Sequence, residues 1–338
     1  MVETKPSAAR PSLGRRSLVA GVGALALLPQ LGRPALAATS GLVVIGKDGW
    51  LFPLWDAMSR YDQAQMRPIM LVLNEAIGAV KSAGIEVVIA MIPSKVRTYR
   101  QFLPDDVRFV PDVDRRYPSV MGDLRRPGMV VPDLDTLFRG IRAGQPNQQL
   151  YFKTDTHWTP AGAEAAATEV AKRMKEGLRL PPNNRPGTRL GGAASRTNPA
   201  GDLSRLLPAA DRTKYAGEPY EVRQVAVASG ASALLEDDSA DVVVVGNSFV
   251  EPKYGFQQML SNQLERPVGL AWRPNNFGAY FTLLDYVKSA SFKRQRPKVM
   301  VWTHLEFDMQ NASNSSSWGQ NAMPPQTFLT ELKRSLVA

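Results

Sequence analysis

Four consecutive valines in Asp241-Val-Val-Val-Val-Gly246 leave no polar position on either side of the chain. The segment therefore predicts a strand buried on both faces, as in a parallel sheet. Residues 85–93 and 297–302 are almost as apolar, interrupted only by Glu86 and Lys298 near their starts, and 269–272 is a shorter version. Between these runs the period becomes helical. Met66, Ile69, Met70, Leu73, Ile77 and Val80 fall on one face of a helix over 65–82, which Gly84 ends. The Ala-rich run 161–174 predicts another, with Thr159 as N-cap and Pro160 at its first position. Residues 134–140, 254–264 and 281–287 read as further helices. A strand at 129–133 precedes the first of these, and a C-terminal helix follows a serine-rich flexible loop at 311–317. Near the start, 41–46 is a short strand that Lys47-Asp48-Gly49 turns into Trp50-Leu51-Phe52. Strands alternating with helices predict an α/β fold, a parallel sheet flanked by helices. Two stretches lack apolar periodicity: 101–127, rich in Pro, Arg and Asp, predicts a surface excursion, and 181–200 a long loop.

Composition narrows the chemistry. The 338 residues contain no cysteine, which removes disulfides, thiolate catalysis and Cys-based metal sites. With two histidines far apart in sequence, no His-rich metal site and no cofactor are expected. The formal charge is +10, but residues 1–37 hold five basic residues against one acid, and the remainder has 36 basic and 30 acidic residues. That surplus is scattered rather than run together, so no nucleic-acid partner is expected. Within 1–37, Arg15-Arg16 precede an apolar run at 18–28, and Ala35-Leu36-Ala37 forms a small-residue cleavage signal. The run is far shorter than the ~20 residues that span a bilayer. The expectation is a cleaved export signal of the twin-arginine (Tat) type, ending near Ala37 and leaving a soluble periplasmic protein.

The candidate chemistry lies in Thr154-Asp155-Thr156-His157-Trp158-Thr159-Pro160. Residues i and i+2 of an extended segment project to one side, so the Asp155 carboxylate can orient the His157 ring. The Thr159-Pro160 helix start pins that loop. A histidine base needs a nucleophile, and without cysteine a hydroxyl is the natural candidate. Ser248, in Val-Gly246-Asn247-Ser248-Phe249, falls just past the C-terminal end of the valine strand, where open α/β sheets place their ligands. Ser248 as nucleophile, His157 as base and Asp155 as orienting acid make a triad. The Ser248 N–H is the first oxyanion donor; Asn247, Asn276 and Tyr280 are candidates for the second. The competing reading is a helix cap and a strand end without catalysis. His304, after the strand ending at Trp302, is the other possible base, but Thr303 and Glu306 offer it no comparably placed acid.

The motifs carry a resemblance. Asp155-Thr-His-Trp158 and Gly246-Asn-Ser248 are similar to the D-x-H-W and G-[DTN]-S motifs of the SGNH-hydrolase-like polysaccharide O-acetyltransferases, the AlgJ/AlgX type of alginate acetylation system. Gly46-Lys-Asp-Gly-Trp-Leu-Phe52 resembles the family's entry motif, Ile92-Pro-Ser-Lys95 its P-x-K segment, and Gly201-Asp202-Leu203 a short GDL element. Asn247 departs from the Asp of the common G-D-S form. The resemblance covers about residues 41–310 and implies that 41–338 form one SGNH-hydrolase-like catalytic domain with a circularly permuted motif order. It also implies acetyl transfer to a polysaccharide acceptor, a membrane-bound partner that delivers the acetyl group, and a place for Lys95 in the site. Two alternatives stay open from the residues: an acetylesterase with the same triad, and a noncatalytic polysaccharide-binding or assembly protein.

Overall fold

The computed structural model describes residues 39–57, 62–105, 112–126, 128–215, 217–226 and 240–337; the export-signal expectation at 1–37 lies outside them. Among the described residues nine strands are formed: β1 (Thr39–Ser40), β2 (Val43–Ile45), β3 (Leu51–Pro53), β4 (Glu86–Ile92), β5 (Leu190–Asn198), β6 (Glu218–Val225), β7 (Val242–Gly246), β8 (Val268–Trp272) and β9 (Val299–Leu305). The central sheet is all parallel, in the order β4-β9-β7-β8. Its alternation explains the apolar runs. Val88, Ala90, Val242, Val244, Val299 and Val301 face one layer of core, while Val87, Ile89, Val243, Val245, Met300 and Trp302 face the other. Both faces are covered, so the middle of each strand is apolar, and the polar residues, Glu86 in β4 and Thr303 and His304 in β9, lie toward strand ends.

The longer helices are α1 (Gln63–Ser82), α2 (Asp112–Leu124), α3 (Leu134–Gly144), α4 (Pro160–Gly177), α5 (Phe256–Leu264), α6 (Ala279–Lys288) and α7 (Pro325–Val337). The first layer of core lies under α3, α4 and α5, which contribute Phe138, Ala163, Val170, Phe256 and Leu260. The second lies under α1, α2, α6 and α7, with Leu73, Tyr117, Leu283 and Phe328. Antiparallel β1–β2–β3 forms a separate small sheet, and Trp50 stacks on Tyr99 at 4.0 Å between ring centroids.

Four expectations need correction. The 101–127 stretch is more than a surface excursion, because α2 turns Val113, Arg116, Tyr117, Val120, Met121 and Leu124 inward. Its fully buried Arg116 reads as polar in the sequence but is paired with Asp56 at 3.0 Å and Glu306 at 3.2 Å. Residues 129–133 make a single parallel bridge, Val88 with Val130, and no strand. The 181–200 loop contains β5, which pairs antiparallel with β6 in a two-stranded ribbon. Most of the ribbon's side chains meet solvent, so it carries no apolar alternation to read. Residues 311–317 are anchored: Ser313 is buried and donates to the Met323 carbonyl at 2.9 Å.

Candidate active site

The valine strand delivers the serine. β7 ends at Gly246, where a Cβ would stand 2.1 Å from the Thr303 Oγ1 on β9, so only glycine lets the two strands stay this close as the chain turns. Asn247 follows, and its side-chain oxygen accepts the Phe249 N–H at 3.0 Å, folding 248–250 into a short 3-10 turn. Ser248 is thereby lifted past the C-terminal edge of the sheet. Among the described residues the Ser248 N–H has no acceptor.

The histidine arrives on the loop before α4. Thr159 caps that helix by accepting the Gly162 N–H at 3.3 Å and donates to the Gln149 carbonyl at 2.6 Å, while Pro160 occupies the first turn. Trp158 is fully buried and its Nε1 donates to the Phe249 carbonyl at 2.7 Å, tying the histidine loop to the serine turn. His157 Nε2 then lies 2.8 Å from Ser248 Oγ, and Nδ1 lies 2.6 Å from Asp155 Oδ1. Tyr254 stacks on the imidazole at 5.2 Å and Phe249 approaches it at 4.7 Å, leaving the ring little freedom to rotate.

Asp155 is buried, yet both of its oxygens are satisfied. Oδ1 also accepts the His157 N–H at 3.0 Å; Oδ2 accepts the Asp202 N–H at 3.1 Å and the Asn198 side-chain amide at 3.5 Å. Burial works to raise its pKa, but the bonds and charge of His157 and these backbone donors outweigh it and hold the carboxyl well below the usual range. The site thus contains a hydroxyl, a ring nitrogen that can accept its proton, and an ionised acid on the far nitrogen. That set can generate an alkoxide nucleophile and stabilise the imidazolium left behind.

The remaining candidates divide. Asn247 is part of the serine turn, as above. Lys95 is buried next to the site, but its Nζ donates to the Leu51 carbonyl at 2.5 Å, Asp155 at 2.8 Å and Lys153 at 2.9 Å. All three donors hold backbone, so none is left for an oxyanion. Burial pushes this ammonium down to about 7 against the pull of Glu218 and Asp155. Tyr280 packs between Trp302 and Phe328 in the second core layer, away from the layer that holds Phe249 and Trp158. Asn276 is exposed in the turn after β8. His304 is buried, with its Nε2 unpartnered and its ring against Trp302 at 4.4 Å; burial pulls its pKa down to about 3.

Two participants were not assigned to the site from sequence. Asn198 belongs to β5, inside the stretch read as loop. Asp202 was visible only as the centre of Gly201-Asp202-Leu203. Asp155, His157 and Asp202 are the only described trio whose donor atoms lie within 4.8 Å of one another, a metal-like spacing. Each of those side chains is already engaged in hydrogen bonds within the loop.

A parallel α/β sheet with Ser, His and Asp assembled on its C-terminal edge defines an SGNH-hydrolase-like protein of the acyl-transfer class. The chain belongs to the family described as "SGNH hydrolase-like domain, acetyltransferase AlgX", whose profile matches residues 43–306. It is 30% identical over 272 residues to the probable alginate O-acetylase AlgJ of Pseudomonas fluorescens, covering 78% of this chain and 67% of that one. Against the AlgX alginate biosynthesis protein of the same organism the identity is 25%, over 66% of this chain and 47% of the other. Among solved structures, the O-acetyltransferase domain of Pseudomonas putida AlgJ superposes with a TM-score of 0.66 at 26% identity, covering 87% of this chain and 99% of that domain. Pseudomonas aeruginosa AlgX, at 21% identity and a TM-score of 0.57, shares the fold over 81% of this chain and 68% of its own.

Proposed function

We propose that this protein is an exported O-acetyltransferase that moves acetyl groups onto polysaccharide hydroxyls through an acetyl-Ser248 intermediate. The observation that carries this reading is the continuous Ser248–His157–Asp155 relay, 2.8 Å and then 2.6 Å long. Ser248 Oγ attacks the carbonyl carbon of an acetyl donor while its proton passes to His157 Nε2. The tetrahedral oxyanion is met by the Ser248 N–H, with the Asn247 side-chain amide as second donor. Collapse expels the leaving group, which takes the proton from Nε2 and leaves acetyl-Ser248. A sugar hydroxyl then attacks, gives its proton to Nε2, and departs as the acetate ester when the proton returns to Oγ.

The names of the relatives support an alginate-type polysaccharide as acceptor. Export is supported by Arg15-Arg16, the apolar run 18–28 and Ala35-Leu36-Ala37. Membership of the alginate-type acetyltransferase family supports a membrane-bound partner that hands over the acetyl group. The test uses the purified protein with an activated acetyl ester and a uronate oligosaccharide. One added acetyl on wild type by intact mass, absent from Ser248→Ala, together with acetylated oligosaccharide, is the expected result. Free acetate with no acetylated sugar for any acceptor would make the protein an esterase, and no adduct or turnover would remove Ser248 as nucleophile.

A further inference from the structure

Asp202 touches every part of the acid–base pair, and the relay described above gives it no role. Its own N–H donates to Asp155 Oδ2 at 3.1 Å. Its carboxylate accepts the Thr156 N–H at 2.7 Å through Oδ1, and Oδ2 accepts the Thr156 hydroxyl. The same Oδ2 stands 3.5 Å from His157 Nδ1, the nitrogen that faces Asp155. One residue therefore clasps the acid by its backbone, the intervening residue by its side chain, and places a second negative charge beside the base.

The approach is built rather than incidental. At Gly201 a Cβ would fall 2.0 Å from the Thr154 carbonyl oxygen, so only glycine allows the 201–204 backbone this close to the histidine loop. Ser204 N–H then donates to that same carbonyl at 3.1 Å, locking the two segments together. Burial of the Asp202 carboxyl and the Asp155 charge beside it both push its pKa up. A carboxylate held at this cost, next to another, is balanced when the imidazole between them becomes positive.

We propose that Asp202 is a second positioning carboxylate of the site: it fixes the Asp155–Thr156–His157 loop and strengthens the proton-holding form of the Asp155–His157–Asp202 cluster. The role rests on Ser248 acylation for its catalytic consequence, but the charge effect itself does not. It also implies that Asp155 is not the sole support of the imidazolium, so that loss of Asp155 leaves a partial substitute at Nδ1.

The experiment compares wild type with Asp202→Asn, Asp202→Ala, Asp155→Asn and the Asp155→Asn/Asp202→Asn pair. Two readouts are used: ester turnover across pH, and proton uptake by the cluster followed through the His157 ring signal in NMR. With only two histidines, and His304 buried and neutral down to about pH 3, that signal is easily isolated. Asp202→Asn keeps an acceptor for the Thr156 N–H but removes the charge. It should move the uptake midpoint and the acid limb of kcat/KM to lower pH, and reduce kcat by about tenfold with KM unchanged. The other charged or titratable groups of this shell, Lys95, Glu218 and Tyr254, are the same in both proteins, so the difference isolates Asp202. The double variant should fall below Asp155→Asn alone. Thr156→Val gives the opposite sign: losing the hydroxyl leaves the carboxylate less neutralised and moves the midpoint up, and it serves where Asp202→Asn does not fold. An unchanged midpoint and kcat in folded Asp202→Asn, or no upward movement in Thr156→Val, overturns the proposal. If wild type shows no turnover at all, Ser248 acylation fails while the NMR midpoint still decides the role of Asp202.

Discussion

The protein has two histidines, and both stand toward the C-terminal edge of the parallel sheet. His157 has a partner on each ring nitrogen, Asp155 on one side and Ser248 on the other, and keeps 14% of its side chain open. His304 is carried inside β9, is 3% exposed, and buries Nε2 without a partner. The difference lies in the backbone that presents each ring. A strand between two covered faces can only deliver a side chain into core, where the charged form is penalised. A loop pinned by a helix cap can deliver it to an edge where an acid and a hydroxyl converge. Proximity to the edge is shared by both rings; only the proposed base has Nδ1 on an acid and Nε2 on a hydroxyl.

The comparison is broken most severely at His157. His157→Ala and Ser248→Ala should each lower acetyl-ester turnover by about 10⁴-fold or more while circular dichroism remains native, since either removes the proton relay. A His157→Ala protein with near wild-type turnover would move the base elsewhere. Asp155→Asn is next. It leaves a side chain of the same shape that no longer stabilises the imidazolium, and a loss of about 10³- to 10⁴-fold in kcat is expected with little change in thermal midpoint. Turnover within tenfold of wild type would show that the acid is not what orients this ring.

Much of this was legible in the chain. The spacing of Asp155 and His157 gives the orienting pair by geometry alone, and the Val242–Gly246 run announces both the buried strand and the serine after it. What the sequence hides is what the fold imports. Asp202 sits 47 residues from Asp155, and its approach depends on a glycine whose missing Cβ has meaning only once Thr154 is known to face it. Asn198 reaches Asp155 from a ribbon whose residues alternate too weakly to declare a strand. Arg116 makes α2 look like a surface helix, because pairing with Asp56 and Glu306 cannot be seen along the chain. Lys95 is instructive in another way: only the family resemblance implies a place for it in the site, and the structure shows its ammonium holding backbone carbonyls there.

That scaffolding role makes a third, smaller prediction. Lys95→Met keeps the length of the stem but removes the ammonium donor from the Leu51, Lys153 and Asp155 carbonyls, of which Lys153 still accepts the Leu51 N–H. A stability loss of about 3 kcal/mol is expected by denaturant titration. Turnover should fall about 10- to 100-fold as the Asp155 backbone loosens. A fully stable Lys95→Met protein with lost turnover would return Lys95 to direct contact with substrate.

The smallest effect on activity, and the sharpest on acid stability, belongs to His304→Leu. The ring touches no reacting group, so turnover at neutral pH should stay within about threefold of wild type. Stability behaves differently. The ordinary value for histidine is 6.5, and burial brings His304 to about 3. Between those two pH values the unfolded chain binds a proton that the folded protein refuses. The contribution of the neutral buried ring is therefore complete above pH 6.5 and is lost as pH falls toward 3, by at most about 1.4 kcal/mol per pH unit. Leucine has no proton to accept, so wild type should lose about 2 kcal/mol more than His304→Leu between pH 7 and pH 5 in urea titrations. Parallel pH dependences for the two proteins would mean that His304 is charged or solvated in the folded state, and the contrast with His157 would then rest on partners alone rather than on burial.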